Sequence, residues 1–518
     1  MHKVKWYVVT AVWLLFQTCV GLMMVLPVRA EQASLTLGRA VETALEIQAD
    51  ILLAKQDVLA AKADIQKEQG QFDPVITVDS GFEQARSPLS ESLGTEKLRT
   101  DTAFIEVEVS KKMENGIILA PKVTLSSLRE PVTYSDTQNT ADILFSVIIP
   151  LMRGKGRDVT LDEFFAVKKE YEAAKHKLYH RAALTILKVV QSFWEYWHAF
   201  TVLDLLAQFE ADTKAGVQNT RYLIFADVLP AGELFHMEAA LESRILARVE
   251  GEQKLAASRH ALGLAMGLET DQIAHLAWPS ARAVEPGSVA DKSAWIDPDR
   301  FIQTAMTCRE DHVELKALLE AEKIRLHART DDCLPKIDLT LSAGYSGLKE
   351  GSRYPNDFIA SPVNNIPGAS VAAGLSFKLP WHNYEAVGSY IRKQAEYRKA
   401  KIRVGDLARR IGSDVRLAVL EYRNLTVRVS GARKALLLYS QALANEREKF
   451  ELGTSTLTDI IAADQNLLDA KLEELSILRD FSMVIARMAF ETGMLVKGKD
   501  EYLQVNLGRI TRLPETWE

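Results

Sequence analysis

The sequence has few cysteines, and after its first thirty residues it has no long apolar run. Of the three cysteines, Cys19 lies in the N-terminal apolar segment. Cys308 and Cys333 flank a helical pattern, which would separate them by roughly 37 Å if it is continuous. This distance excludes a disulfide between them, so we expect two free, buried thiols. No apolar run of about 18 residues follows residue 30, which excludes a membrane-spanning α-helix in that part of the sequence.

The chain also lacks the motifs of catalysis and of nucleic-acid binding. It contains no nucleophile elbow, phosphate loop or zinc motif, so we predict no enzyme activity and no cofactor. His176 and His180 are four residues apart, but no further metal ligand is identifiable nearby, so we predict no metal site. The aromatic run from Phe193 to Trp197 could form a ligand platform. On a helix, however, its side chains point in several directions, which favours a role in packing.

The first thirty residues form a targeting segment. Lys3 and Lys5 precede an apolar stretch, and Ala30 ends a small-residue cleavage pattern, so we predict that residues 1–30 are a signal peptide. An uncleaved membrane helix is the alternative. Cleavage removes three basic residues and no acidic residue, so the net charge changes from −6 to −9. This acidic balance gives no support for a nucleic-acid partner.

The rest of the sequence contains two copies of one layout. The segment from Arg39 to Leu45 recurs as Arg300 to Met306, and the same offset of 261 residues relates Pro74 to Pro335. In each copy a helical segment precedes a region of two-residue alternation, and a long helical hairpin follows. We therefore predict a first repeat at 31–264 with strands in 74–150, a linker at 265–298, a second repeat at 299–496 with strands in 335–380, and a C-terminal tail at 497–518.

The strands of the second repeat alternate cleanly between apolar and polar residues. The segments 336–345 and 369–379 each have about ten residues, the length that a tilted strand needs to cross a bilayer. The segment 351–368 between them has the composition of an exposed loop. A half-buried sheet of a soluble protein would alternate in the same way. Together with the signal peptide, the pattern favours a transmembrane barrel, in which the lipid-facing residues are Ile337, Leu339, Leu341, Val371, Leu375 and Phe377.

The first repeat has room for an additional hairpin. Its candidate strands are 75–82, 102–110, 117–125 and 141–149, with a hairpin turn at Asn115-Gly116. The helices on both sides of the strands must lie on one side of the membrane, so the number of strands must be even, either two or four. One chain then offers four to six strands, fewer than the about eight at which bacterial barrels begin. Because a sheet in lipid must close, we expect a barrel shared with other copies, and three chains of four strands would make twelve.

Two helical patterns are too long for a compact domain. They run from about 158 to 223 and from about 385 to 452, which corresponds to roughly 100 Å each. Each pattern then turns and returns as a second helix, at 232–264 and at 457–492. This composition is typical of helical hairpins rather than of a catalytic domain. The predicted fold class is therefore an α+β membrane protein with long α-helical hairpins and barrel-forming strands.

These features resemble the TolC family of outer-membrane efflux and secretion channels over residues 35–496. The resemblance is carried by the duplicated helix, by Gln71-Phe72-Asp73-Pro74 before a strand, by the segment 150–154 after the last strand of the first repeat, and by the segment 449–461 at the second hairpin tip. It implies a homotrimer with a shared twelve-stranded barrel in the outer membrane of a Gram-negative bacterium. It also implies a helical tunnel in the periplasm that docks to an adaptor protein of an inner-membrane pump.

The hairpin tips match the family only in part. Gly453, Thr454 and Asp459 occupy matching positions, whereas Ser455 and Ala462 replace an arginine and a second aspartate. At the first tip Phe225 falls where a glycine is expected, and Ala231 falls where an acidic residue is expected. We therefore expect the periplasmic mouth at Asp459, Ser455, Asp227 and Glu233, and the adaptor-docking tips at Phe225, Gly453, Thr454 and Leu457. Asp459 could instead be an acid that stabilises a helix N-terminus.

The function expected from these features is passive conduction of cargo across the periplasm and the outer membrane, within an efflux or type I secretion system. The partners would be two further copies of the chain, the adaptor, the pump and the lipid bilayer. A soluble periplasmic coiled-coil scaffold or adaptor is the alternative, because it shares the long hairpins and the signal peptide. A scaffold does not need strands with a continuous apolar face, and this difference favours the channel.

Overall fold

The computed structural model describes residues 34–88, 97–129, 137–281, 283–284, 297–350, 367–499 and 502–512. The predicted signal peptide and most of the predicted loop 351–368 lie outside these ranges. Among the described residues, no helix combines the length and the apolar character needed to cross a membrane.

The elements of the first repeat follow the predicted order of helix, strands and helical hairpin. They are α1 (Leu37–Ile47), α2 (Ala49–Gln69), β1 (Val75–Pro88), β2 (Lys97–Lys112), β3 (Ile118–Arg129), β4 (Gln138–Pro150), α3 (Arg157–Thr160), α4 (Asp162–Phe225) and α5 (Glu233–Met266). A short helix, α6 (Thr270–Ala274), follows in the linker. The four strands coincide with the four candidate segments and extend beyond them, so the first repeat contains four strands rather than two.

The second repeat has the same order with two strands. Its elements are α7 (Pro298–Cys308), α8 (Glu310–Asp332), β5 (Lys336–Glu350), β6 (Pro367–Lys378), α9 (Tyr384–Glu451) and α10 (Leu457–Glu491). The C-terminal residues form a hairpin of β7 (Val496–Lys499) and β8 (Tyr502–Val505) and a short helix, α11 (Gly508–Thr511). The helices α4 and α9 have 64 and 68 residues, and their ends lie within four residues of the predicted ends.

The chain divides into two compact units, and each contains segments of both repeats. The first comprises Met1–Gln48, Lys188–Gly287 and Leu425–Met483. Its core includes Phe193, Trp194 and Tyr196, which are almost fully buried, so the aromatic run has the packing role that we favoured. The linker covers this run, because the indole N–H of Trp197 donates to the Ala281 carbonyl at 3.1 Å.

The second unit comprises Ala49–Leu187, Ser288–Asn424 and Val484–Glu518. It contains a six-stranded sheet with the order β1-β2-β3-β4-β5-β6, in which every neighbouring pair is antiparallel. The strands of the two repeats join where β4 pairs with β5. One chain therefore supplies six strands, so three chains would not make the twelve that the resemblance implied.

Each repeat also has a break in its first helix that the sequence pattern does not reveal. Gln48 separates α1 from α2, and Arg309 separates α7 from α8, both with an extended backbone. The two residues are related by the same offset of 261. Each break packs against a glycine with positive φ, Gly267 or Gly493, that follows the returning helix. At Gly493 a Cβ atom would lie 2.6 Å from the backbone of Cys308, so only glycine fits there without movement.

The cysteines are free, as predicted, but they are not buried. Cys308 is exposed at the end of α7, and Cys333 is half-buried at the end of α8. Both lie at helix ends rather than on a helix face that packs in the core, which explains why the expectation of buried thiols was wrong.

Candidate functional site

The sheet brings the six predicted lipid-facing residues together on one face. Its register aligns Leu339 with Leu375 and aligns Ile337 with Phe377, while Leu341 and Val371 continue the same face. Val371, Leu375 and Phe377 are 87%, 68% and 62% exposed. Ile337 and Leu339 are half-buried by their neighbours in the sheet. That this face contacts lipid remains a prediction.

The apolar face continues over the four strands of the first repeat. Starting from Tyr345, the register runs through Ile143 of β4 and Val123 of β3 to Val107 of β2. Large exposed side chains occur on each of these strands: Ile76, Val78, Phe82, Ile105, Val107, Val123, Ile143 and Phe145. An exposed apolar surface of this extent marks an interface with lipid or with another protein.

The opposite face of the sheet is mainly polar. One lateral row contains Asp79, Glu106, Thr124, Asp142 and Ser346, each of which is paired with the next. In this row Glu106 accepts a hydrogen bond from Thr124 at 3.3 Å, and its carboxylate also lies 2.8 Å from the Lys122 ammonium. The sheet thus separates an apolar surface from a polar, charged one.

The first hairpin tip is exposed and apolar. The helix α4 ends at Phe225, whose side chain is 91% exposed, and Tyr222, Val228 and Phe235 are also largely exposed. In this turn the residue with a left-handed backbone is Asp227, with φ of 55°. The position that favours glycine is therefore that of Asp227 and not that of Phe225. The counterpart of Asp227 at the second tip is Gly453, with φ of 72°, and both follow the last residue of the preceding helix by two.

Glu233 begins the returning helix α5 at this first tip. One of its carboxylate oxygens is shielded from solvent and has no hydrogen-bond partner within the described residues. The segment between the two helices, 226–232, is two residues longer than its counterpart, 452–456.

The second tip is built around Asp459 and is mainly polar. The Asp459 carboxylate accepts the Thr456 backbone N–H at 3.0 Å and the Thr456 hydroxyl at 2.6 Å. The Ser455 hydroxyl bridges Glu446 and Asp459. The hydrogen bonds from the hydroxyl and backbone N–H of Thr456 hold the pKa of Asp459 below its usual value. Asp459 therefore caps α10 in this structure, whereas lining of a mouth remains a prediction.

The other predicted docking residues differ in their exposure. Gly453 and Thr454 are exposed. Leu457 is buried against Val217 and Met237, where it joins the two hairpins. Leu457 can therefore support the tip from within, but its side chain is not presented at the surface of this chain.

Sequence reasoning missed a buried arginine that links the two hairpins. The Arg244 guanidinium on α5 donates to Gln465 at 2.7 Å and to Asp464 at 3.0 Å, both on α10. Its side chain is 8% exposed and lies over the Phe209 ring. No motif surrounds Arg244, and only its position on the inward face of α5 could have indicated this role.

A second buried cluster lies at the break between α7 and α8. The Arg309 guanidinium contacts Glu491 at 2.6 Å and Asp311 at 2.8 Å, and it lies over the Phe490 ring. Burial raises the pKa of Glu491 above its usual value, although Arg309 opposes this shift. For Asp311, burial also favours protonation, but the hydrogen bond and charge of Arg309 outweigh it and lower the pKa.

The described residues offer no evident catalytic or metal centre. A cavity of about 710 Å³ lies between α4, α5 and α10 and is lined by small apolar side chains together with polar residues that include His198 and Arg479. His176 pairs with Glu310 at 2.5 Å. Within the described ranges, no three His, Cys, Asp or Glu side chains are placed to hold a metal ion.

Comparison with solved structures identifies the fold. The chain is similar to the CmeC outer membrane channel of Campylobacter jejuni, with 14% identity and a TM-score of 0.65 over 88% of this chain and 85% of that chain. The outer membrane protein VceC of Vibrio cholerae is 13% identical, with a TM-score of 0.61 over 88% of this chain and 96% of that chain. The open state of the MtrE outer membrane channel of Neisseria gonorrhoeae is 12% identical, with a TM-score of 0.59 over 88% of this chain and 89% of that chain.

No family model matches the sequence, and no curated protein matches it. The structural similarity nevertheless covers most of the chain, so the resemblance to the TolC family is confirmed at the level of the fold.

Proposed function

We propose that this chain, which has the fold of these outer-membrane channels, is one subunit of a homotrimeric channel that conducts cargo passively across the periplasm and the outer membrane. An inner-membrane pump would supply the energy, and a periplasmic adaptor would connect the two. The chain would act in efflux or in type I secretion and would not be an enzyme. The observation that carries this proposal is the six-stranded sheet with one apolar and one polar face.

The edges of the sheet support assembly from several copies. Neither β1 nor β6 has a second neighbour among the described strands, so each leaves a row of backbone groups without a partner from the sheet. In lipid these groups have no water to bond with, and each unsatisfied group costs several kcal/mol. Because β1 and β6 run in opposite directions, β6 of one copy can pair with β1 of the next in an antiparallel manner.

The hairpin tips support the adaptor interaction. Tyr222, Phe225, Val228 and Phe235 form an exposed apolar surface at the first tip, which we call the tip patch. Exposed apolar patches are typical of protein interaction sites. Gly453 and Thr454 would contribute polar backbone and side-chain contacts at the neighbouring second tip, and Asp227, Glu233, Ser455 and Asp459 would surround the mouth.

A soluble scaffold or adaptor explains the hairpins but not the sheet. A soluble protein that exposed the apolar residues of all six strands would aggregate, whereas a channel places them in lipid. The apolar face therefore favours a location of this protein in the outer membrane.

Fractionation and bilayer recording test the proposal together. The protein should sediment with outer membranes, and the detergent-extracted protein should have about three times the mass of one chain by light scattering. It should also form ion-conducting pores in planar bilayers. A soluble monomer with an intact β signal in circular dichroism would contradict the channel function.

A further inference from the structure

The six strands per chain determine how wide a shared barrel would be. We propose that the assembled pore has eighteen strands and admits bulky hydrophilic cargo, with a cross-section up to that of a helical hairpin. This inference rests on the proposed trimer and adds the size class of the cargo. It departs from the twelve-stranded barrel that the family resemblance implied, because the first repeat contributes four strands instead of two.

All six strands have the pattern of membrane-spanning strands. If the central hairpin of β2 and β3 were an accessory outside the membrane, its outer positions would not need to be apolar. Ile105 and Val107 on β2 and Val123 on β3 are exposed and lie on the same face as Leu341 and Leu375. The apolar face thus crosses the middle of this hairpin, and the charged residues on the same face, Lys111, Asp101 and Arg129, lie near the ends of its strands.

The hairpin is also integrated into the sheet along its length. β2 pairs with β1 from Ser110 to Lys97, and β3 pairs with β4 from Ile118 to Leu128. The turn between β2 and β3 is tight, since the Gly116 N–H donates to the Met113 carbonyl at 2.9 Å. This turn lies close to Gly154, which follows the C-terminal end of β4. The turn therefore lies at the same end of the sheet as the start of the helices, as a full crossing of the membrane requires.

The polar face of the hairpin fits a water-filled interior. Glu106 and Thr124 belong to the lateral row that continues to Asp79 and Asp142. The Ser126 and Thr140 hydroxyls are 2.5 Å apart in the row beside it. Hydroxyl and carboxylate groups on two central strands would be costly in lipid, but they are suited to a hydrated lumen.

The width of the pore follows from the number of strands. With strands about 4.8 Å apart and tilted by about 40°, each strand takes about 6.3 Å of the circumference. Eighteen strands then give a backbone diameter of about 36 Å, against about 24 Å for twelve. After side chains fill roughly 5 Å on each side, the wider pore could pass two helices of about 10–12 Å side by side, whereas the narrower pore could pass only one.

The test compares the full chain with a variant that lacks one hairpin. Deleting residues 97–129 removes β2 and β3, so that the end of β1 is followed by the start of β4, and these two strand ends lie at the same end of the sheet. Each protein is inserted into planar bilayers, and polyethylene glycols of graded size are added on the side where β1 ends and β4 begins, so that they enter the barrel first. Glu106→Gln is the control, because it changes the charge of the lumen and leaves the strand number unchanged.

We expect the hydrodynamic diameter of the largest polymer that enters to fall by nearly a half in the deletion variant, from about 26 Å to about 14 Å, and to stay constant in Glu106→Gln. An equal cut-off in the full chain and the deletion variant would overturn the inference while leaving the channel function intact. If the deletion variant does not assemble, the full chain decides: a cut-off suited to twelve strands, or a dimer by light scattering, overturns the inference. A full chain that forms no pore contradicts the proposed function itself.

Discussion

Arginine at Leu341 should prevent assembly, whereas arginine at the next residue, Ser342, should be tolerated. Both residues lie near the centre of β5, far from its ends. Leu341 is aligned with Val147 and Ala373 on the apolar face. Ser342 points to the polar face, where it would contact the water-filled interior of the proposed pore.

The structure and the proposed location give the magnitude of this effect. An arginine at a lipid-facing position near the bilayer midplane costs ~2–4 kcal/mol in each chain. In a trimer the substitution occurs three times, so the assembled barrel would lose about 6–12 kcal/mol, comparable to the whole stability of an ordinary domain. The neighbours of Ser342 are Ser146 and Ala372, both small, so a longer side chain has room on that face.

The assay is the yield of trimer in outer membranes, measured by fractionation and light scattering for Leu341→Arg, Ser342→Arg and the apolar control Leu341→Met. We expect trimer from the control and from Ser342→Arg only. If both arginine variants assemble equally well, the assignment of the two faces is wrong. If Leu341→Met also fails, packing rather than contact with lipid governs this position.

Three further predictions concern the helical parts. Arg309→Met removes the cation beside Asp311 and leaves Glu491 with only Arg487 at 4.0 Å, so it should lower the free energy of unfolding by about 3–5 kcal/mol, whereas Gln48→Met at the equivalent break should cost less; equal losses of stability in the two variants by thermal unfolding would contradict the ion-pair role. Asp459→Ala should lower thermal stability through loss of the cap and, because Asp459 is proposed to surround the mouth, should also change the cation selectivity or weaken divalent block in bilayers; lower stability with unchanged selectivity and block would show that Asp459 only caps α10. Burial, reinforced by Arg479, lowers the pKa of His198 to about 4, so the folded state binds fewer protons than the unfolded state and stability should fall as the pH drops from 6.5 towards 4. His198→Gln should weaken this dependence of the unfolding temperature on pH, and an unchanged pH profile would refute it.

The elements of the fold were predictable from local patterns. Alternation along 369–379 and the helical period along 385–452 identify β6 and α9, because each pattern reflects the backbone geometry of its own segment. The four strands of the first repeat lie where alternation and the Asn115-Gly116 turn placed them. Their number remained open because the alternation is weaker there and the spacing of Pro74 and Pro150 fits two strands or four.

The candidate site was less predictable because its features depend on residues far apart in the sequence. Leu457 reads as a surface residue beside a hairpin tip, yet it packs against Val217 and Met237, more than two hundred residues away. Asp227 adopts the left-handed backbone that glycine adopts at Gly453, and no local signal distinguishes it from its neighbours.

By itself the sequence determined the two repeats, the order of their helices and strands, and which residues of each strand share a face, since these follow from periods of two and 3.6 residues. Only the tertiary structure decided that six strands form one sheet, that Gln48 and Arg309 break their helices, and that Arg244 joins two hairpins. These features require partners brought together by the fold: a neighbouring strand, a close glycine such as Gly493, or a carboxylate such as that of Asp464. A pattern along the chain contains the period of a segment but not the identity of what it will contact.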